Sequence, residues 1–292
     1  MSAASSTAPN LPPPSGPCVE GRGLRGHLDI LCAADCSGKS ILRHQSFRAP
    51  IHLSKPHWDE GALVLNVVNP TAGLLADDRI TMRARVEPGA RLLLTSPSAS
   101  RAHRMSDGHA EVDQHFSVAA SGSLESWPEL FIPQAGTRYR QRSTLEVEPG
   151  GELLFFESLA PGRVAFGESF EYALLDWSTQ LRCGGTLIAR ERYRLSPGDE
   201  SVRALRRQFE HAYYASALIV SPRLTAESPC WQAIHRMQAP GLWVGCGALA
   251  QAGWTVKVLA EGSILLRRAL AEIRAAVYQD LGRAMPSLRR AG

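Results

Sequence analysis

Ile80-Thr81-Met82-Arg83-Ala84-Arg85-Val86, then Glu87-Pro88-Gly89-Ala90, then Leu92-Leu93-Leu94-Thr95 is the stretch that decides the fold. Its first part alternates apolar and polar residues, the pattern of a half-buried strand. Proline and glycine then supply a turn. The last part is an almost unbroken apolar run, suited to a buried strand. The unit recurs. Residues 112–119 lead through Ala120-Ser121-Gly122-Ser123 into Leu124-Glu125-Ser126-Trp127-Pro128, and residues 143–147 lead through Glu148-Pro149-Gly150-Gly151 into Leu153-Leu154-Phe155-Phe156-Glu157. A repeat of roughly 30 residues without helical windows predicts stacked β layers. The scaffold is therefore expected to be mostly β and β-helix or solenoid-like, and a plain sandwich fits the same periodicity.

Outward from this centre, strands are predicted at 26–31, 40–47, 50–53 and 63–68, and later at 170–177, 186–194 and 211–220. Residues 203–209 suit a short helix or a strand, 226–237 a short helix after Ser228-Pro229, and 242–259 returns to β character. The clearest helix is 264–284. Leu266, Leu270, Ile273, Val277 and Leu281 recur at three- and four-residue steps, with Arg267, Arg268, Arg274 and Asp280 facing away and Pro286 as the stop. Residues 1–20 read as a disordered tail ahead of a single domain over 21–292, with its small helical part near the C-terminus.

A chain of 292 residues, 44% hydrophobic and 21% charged, has the composition of a soluble globular protein. The net charge of +4 is dispersed, and no basic patch is interleaved with aromatics, which argues against nucleic acid as a partner. The six cysteines have no framework spacing and read as reduced, mostly buried thiols. Cys32-Ala-Ala-Asp-Cys36 lacks a second pair to complete a zinc site. The first residues resemble neither a secretory signal nor a membrane anchor, so a cytoplasmic location is expected.

Familiar catalytic motifs are missing: there is no Gly-x-Ser-x-Gly elbow, P-loop or HExxH. His103, His109 and His115 are separated by the Asp107-Gly108 turn signal and do not form a metal set. What stands out is a series of acids at strand ends, Asp77, Asp78, Glu125, Glu129, Glu157, Glu168 and Glu191, in a chain with glycine-arginine turns. Such acids suit a polar passage or an interface, and equally suit solvated strand ends.

At these positions the chain resembles the UreD (UreH) family of urease accessory proteins. Asn69-Pro70-Thr71-Ala72-Gly73-Leu74-Leu75-Ala76-Asp77-Asp78-Arg79-Ile80 follows the family's Asn-Pro-Ser/Thr-Gly-Gly-Leu-x-Gly-Gly-Asp segment. Residues 95–104, 124–133 and 157–170 follow three further family segments in the same order and spacing. Ala72, Ala76 and Asp77 replace hallmark glycines, so backbone relying on positive φ there is expected to be rearranged or strained. Pro97, Arg101 and His103 replace the usual glutamine, lysine and tyrosine.

The resemblance implies a non-enzymatic nickel-insertion chaperone. Its implied partners are the urease structural subunits, a UreF-like helical accessory protein and, through it, a UreG-like GTPase, with neither nucleic acid nor membrane. Ni²⁺ is implied as a transient cargo without a tight site. By motif position, Asp78, Glu157, Glu168 and Glu191 become candidate path or interface acids, with Thr95, Ser96 and Arg163 as polar neighbours. Two competing readings are a β scaffold that has lost nickel delivery and a hydrolase or lyase using Asp78 and Glu157 as an acid/base pair.

Overall fold

The computed structural model describes residues 23–71, 73–209, 212–251 and 253–288, so the predicted tail, Cys18 and Ala72 lie outside the described residues. The chain begins with β1 (Arg25–Ala34), β2 (Ser40–Arg48), β3 (His52–Leu53), β4 (His57–Asp59) and β5 (Ala62–Val68). Three coils follow. The first contains β6 (Arg79–Val86), β7 (Arg91–Thr95) and β8 (Ser100–Ala102). The second contains β9 (Ala110–Val118), β10 (Ser123–Trp127) and β11 (Phe131–Pro133), and the third β12 (Arg138–Val147) and β13 (Glu152–Leu159). The remainder is β14 (Leu174–Cys183), β15 (Thr186–Leu195), α1 (Glu200–Gln208), β16 (Tyr213–Val220), α2 (Pro229–His235), β17 (Leu242–Ala248), β18 (Gly253–Ala260) and α3 (Ser263–Asp280).

The repeating unit becomes a coil because each amphipathic strand and the apolar strand after it enter different sheets. β6, β9, β12 and β14 pair in parallel. On the other side β5, β7, β10 and β13 do the same. β1 adds to the first stack in parallel beside β6, and antiparallel strands extend both stacks further, giving the orders β15-β14-β12-β9-β6-β1-β2 and β17-β18-β16-β13-β10-β7-β5-β3. The predicted solenoid character is present, in the form of two sheets facing each other. The coil corners are equivalent turns: Ala90, Gly122 and Gly151 donate their amides to the carbonyls of Glu87, Ala119 and Glu148. The third residue of each turn has positive φ, at Gly89 (73°), Ser121 (60°) and Gly150 (87°), as a type II turn requires.

A third layer explains the unbroken apolar runs. Leu92, Leu94, Leu153 and Phe155 face the space between the sheets, while Leu93, Leu154 and Phe156 face a second core beneath α2 and α3. The second sheet is thus covered on both faces, so neither set of its side chains needs to be polar.

The structure departs from the predicted elements at two element ends and resolves one ambiguity. Residues 170–173 are loop, with Phe170 at a φ of 57°, and the strand starts at Leu174. Of the two forms open to residues 203–209, the structure takes the helix, through Gln208, with Phe209 extended. The C-terminal helix stops at Asp280, where Gly282 turns the chain with a φ of 63° before Pro286 is reached. Two of its residues predicted to face solvent do not. Arg274 is buried, and Asp280 accepts the Cys230 amide at 2.7 Å, tying α3 to the first turn of α2. Arg267 and Arg268 are exposed as expected. Among the described residues no helix is long and apolar enough to cross a membrane.

Candidate functional site

Coil stacking brings the four motif segments together as adjacent rungs at one end of the molecule. Leu74 and Ala102 form an isolated parallel bridge, β8 pairs with β11, and β11 pairs with the end of β13. Gly73 is required there. A Cβ on it would lie 2.7 Å from His103 Nε2, and its φ is 154°. Asp77, which replaces a hallmark glycine, retains a left-handed φ of 65°. Aspartate tolerates that region better than most side chains, so the turn survives the replacement.

Asp78 is buried, and both its oxygens are occupied by backbone. Oδ1 accepts the Leu24 amide at 2.7 Å and Oδ2 the Leu75 amide at 2.8 Å. Asp78 does not line the central cavity described below. It joins the start of β1 to the loop before β6. Asp78→Ala is expected to cost about 1–3 kcal/mol, because two amides lose a charged acceptor. Asp77→Gly should be neutral or slightly stabilising, since it relieves the left-handed φ. Urea unfolding of both variants checks this pair.

Glu168 and Arg163 also serve their own loop. Arg163 grips Glu168 through Nε at 2.8 Å and through a second, shorter bond, and Glu168 Oε2 accepts the Ala135 amide at 3.0 Å. The guanidinium holds the Glu168 carboxyl below its usual range. This clamp leaves Phe166 at the loop tip 76% exposed.

Between the sheets lies a cavity of about 140 Å³. Exposed Ser100, Arg101 and Pro128 border it, as do buried Glu157 and Trp177 within the sandwich. Its wall is mostly apolar, with Ile80, Met82, Leu94, Phe116 and Phe155 among its residues, and its polar groups include Thr95, Ser96, Gln114, Ser126, Gln141 and Glu157, with Arg101 and Glu129 as further charged members. A space of this size has room for several waters where they can reach these polar partners. Thr95 is buried, and Ser96 Oγ accepts the Glu129 amide at 2.8 Å.

Glu157 reaches this space by strand alternation: it points to the same face of β13 as Leu153 and Phe155. Its Oε1 accepts from Gln141 Nε2 at 2.6 Å, Trp177 Nε1 at 2.9 Å and Ser143 Oγ at 3.3 Å. Its Oε2 accepts from Thr179 Oγ1 at 3.0 Å. Burial pushes its carboxyl up to about 7, against the pull of the Trp177 and Thr179 bonds and with a further push from the charge of Glu191.

A polar layer crosses the sandwich at this level. Gln114, Ser143, Thr179 and Glu191 occupy one register position on four successive strands. Opposite them, Glu157, Ser216 and Lys257 do the same on three. Of the sequence-predicted acids, the structure therefore brings Glu157 and Glu191 into one layer and leaves Asp78 and Glu168 in separate loops. The proposed Asp78–Glu157 acid/base pair does not converge on one pocket. Among the described residues, no three His, Cys, Asp or Glu side chains are grouped to hold a metal.

Sequence reading missed the partnership of Glu125. It faces the helical layer, where Arg274 grips it through a short Nε bond and through Nη2 at 2.9 Å, and Tyr278 donates its hydroxyl at 2.7 Å. Arg274 and Glu125 are each 3% exposed. The signal was available: Glu125 alternates with Leu124 and Ser126 inside a strand, and Arg274 and Tyr278 are four residues apart on one helix face.

Residues 24–291 match the model of the family described as UreD urease accessory protein. The chain is 41% identical over 269 residues to the urease accessory protein UreD of Opitutus terrae, covering 90% of this chain and 96% of that protein. It is 30% identical to the protein of the same name from Mycolicibacterium gilvum, over 88% of this chain and 94% of the relative. Urease accessory protein UreD 2 of Streptomyces griseus is likewise 30% identical, over 91% and 93%.

Proposed function

The chain belongs to the UreD family of urease accessory proteins, and from that premise we propose that it is a non-enzymatic chaperone of urease nickel insertion, whose inter-sheet cavity passes Ni²⁺ onward. One observation carries this reading: a cavity whose polar groups are hydroxyls, amides, the buried Glu157 carboxylate and the more exposed Arg101 and Glu129, with no thiolate or imidazole, runs among the stacked family motifs. Thiolate and imidazole ligands hold nickel firmly, whereas water, hydroxyl and isolated carboxylate ligands release it. A conduit needs the second kind of lining. The partners of this reading are apo-urease, a UreF-like helical accessory protein and, through it, a UreG-like GTPase, in the cytoplasm.

The test is co-expression of the urease subunits and the other accessory proteins with and without this chain. Omitting the chain is expected to leave urease nickel-poor and inactive, as measured by metal analysis of the purified enzyme and by urea hydrolysis. Equal nickel content in both preparations overturns the reading. Partial loading by the wild-type chain, unchanged by Glu157→Leu, supports instead a scaffold that no longer conducts.

A further inference from the structure

α2 and α3 pack on the outer side of the second sheet, whereas the outward residues of the first sheet are mostly exposed or half-buried. Register there gathers charge that is dispersed in the sequence. Arg79, Glu111, Arg140, Asp176 and Arg194 lie side by side across β6, β9, β12, β14 and β15. The next outward row reads Thr81, Asp113, Arg142, Ser178 and Arg192, and the third Arg83, His115, Thr144, Gln180 and Arg190. The first two rows pair internally. Glu111 meets Arg142 at 2.7 Å and Arg140 at 3.8 Å, and Asp176 meets Arg192 at 3.3 Å and Arg140 at 3.6 Å. The third row holds no acid. Asp29, beside Arg83 on β1, pairs with Arg85 instead, at 3.1 Å. Arg83, Arg190 and, in the first row, Arg194 are exposed and have no ion-pair partner among the described residues. A cleft of about 180 Å³ opens beside Arg83, Arg85 and His115.

We propose that this face docks an acidic protein surface, whose carboxylates complete the third row at Arg83 and Arg190. This rests on the reading of the chain as a working part of a urease assembly and adds a surface to it. Unpaired guanidinium groups keep their donors for bidentate contacts with carboxylates. Four strand spacings put Arg83 and Arg190 about 19 Å apart, so an extended surface spans them and a small anion does not. A phosphate backbone fits less well. Glu111, Asp113 and Asp176 repel it, and no outward residue of the three rows is aromatic and able to stack on a base.

The test is capture of co-expressed urease subunits and accessory proteins on the tagged full chain. Arg83→Glu, Arg190→Glu and Arg194→Glu together are expected to lower recovery of at least one of these proteins about tenfold, since like charges then face each other. The corresponding Gln triple, which adds no acid to the sheet, should show the same loss in smaller measure. Raising salt from about 0.15 M to about 0.5 M should release the same protein from the wild-type chain. A control reverses three exposed arginines elsewhere, Arg206→Glu, Arg236→Glu and Arg268→Glu, and should recover that protein as the wild type does. Thermal melts of the triples are expected to match wild type, because the replaced side chains are exposed. Equal recovery by the face variants and the wild type overturns the proposal, and so does an equal loss in the control. A face variant that loses only co-purifying nucleic acid, read by ultraviolet absorbance, overturns it in favour of a nucleic-acid surface. The two levels separate in the same experiment. A wild-type chain that captures none of the urease proteins removes the assembly itself, whereas capture by the wild type and the face variants alike removes only this surface.

Discussion

Arg274→Met is expected to lower the unfolding free energy by about 3–5 kcal/mol, the cost of leaving a buried charge without its partner. Arg274 lies 3% exposed on α3, and its guanidinium satisfies Glu125 from the middle of β10. It also donates to the Pro286 carbonyl at 2.8 Å and stands 5.0 Å from the Tyr278 ring centroid. Removing the cation leaves Glu125 with the Tyr278 hydroxyl alone in an apolar layer of Trp127, Leu270 and Val277. The carboxyl must then take up a proton or draw in water. Glu125→Leu together with Arg274→Met should recover most of the loss, because well-packed apolar pairs replace buried ion pairs at little net cost. Urea midpoints of the two singles and the double close the cycle. A single variant within about 1 kcal/mol of wild type would show that the pair does not hold α3 on the sheet.

Glu157→Gln is expected to remove a pH dependence of stability. The Glu157 carboxyl is raised from 4.5 to about 7 in the folded chain, chiefly by burial. The folded state therefore keeps a proton that the unfolded state has already lost. Stability falls as pH rises from about 4.5 and levels off above about 7, for a total of about 3 kcal/mol from this group. Below pH 4.5 both states are protonated and the penalty vanishes. The Gln variant lacks this slope, so it should match wild type near pH 4.5 and exceed it at pH 8. Urea unfolding across that range measures the difference. A wild-type curve with no slope relative to the variant would mean that Glu157 is already ionised at low pH. For function the sign reverses: losing the buried carboxylate on the cavity wall should slow nickel loading of urease severalfold, as read by nickel content after co-expression. A gain in stability with a loss of function is the pattern of a residue kept for its chemistry.

The sequence carried the coil, because an alternating strand, a Pro/Gly or Ser/Gly turn and an apolar strand recur three times, and a turn with positive φ leaves the second strand little choice but another sheet. It also carried the family, through motifs that recur about once per coil. By itself it did not say which charged residues share a layer. Glu157, Ser216 and Lys257 are distant in sequence and meet only through the register of β13, β16 and β18. Glu125 and Arg274 are 149 residues apart, and the helix pattern alone placed Arg274 toward solvent. Asp78 looked like an acid at a strand mouth, yet its oxygens are taken by the Leu24 and Leu75 amides. Periodicity records which face a side chain occupies, and that is local. Whether that face meets water, a cavity or an opposite charge is settled only when the sheets pack, because the cost of burying a charge depends on its neighbours across the fold.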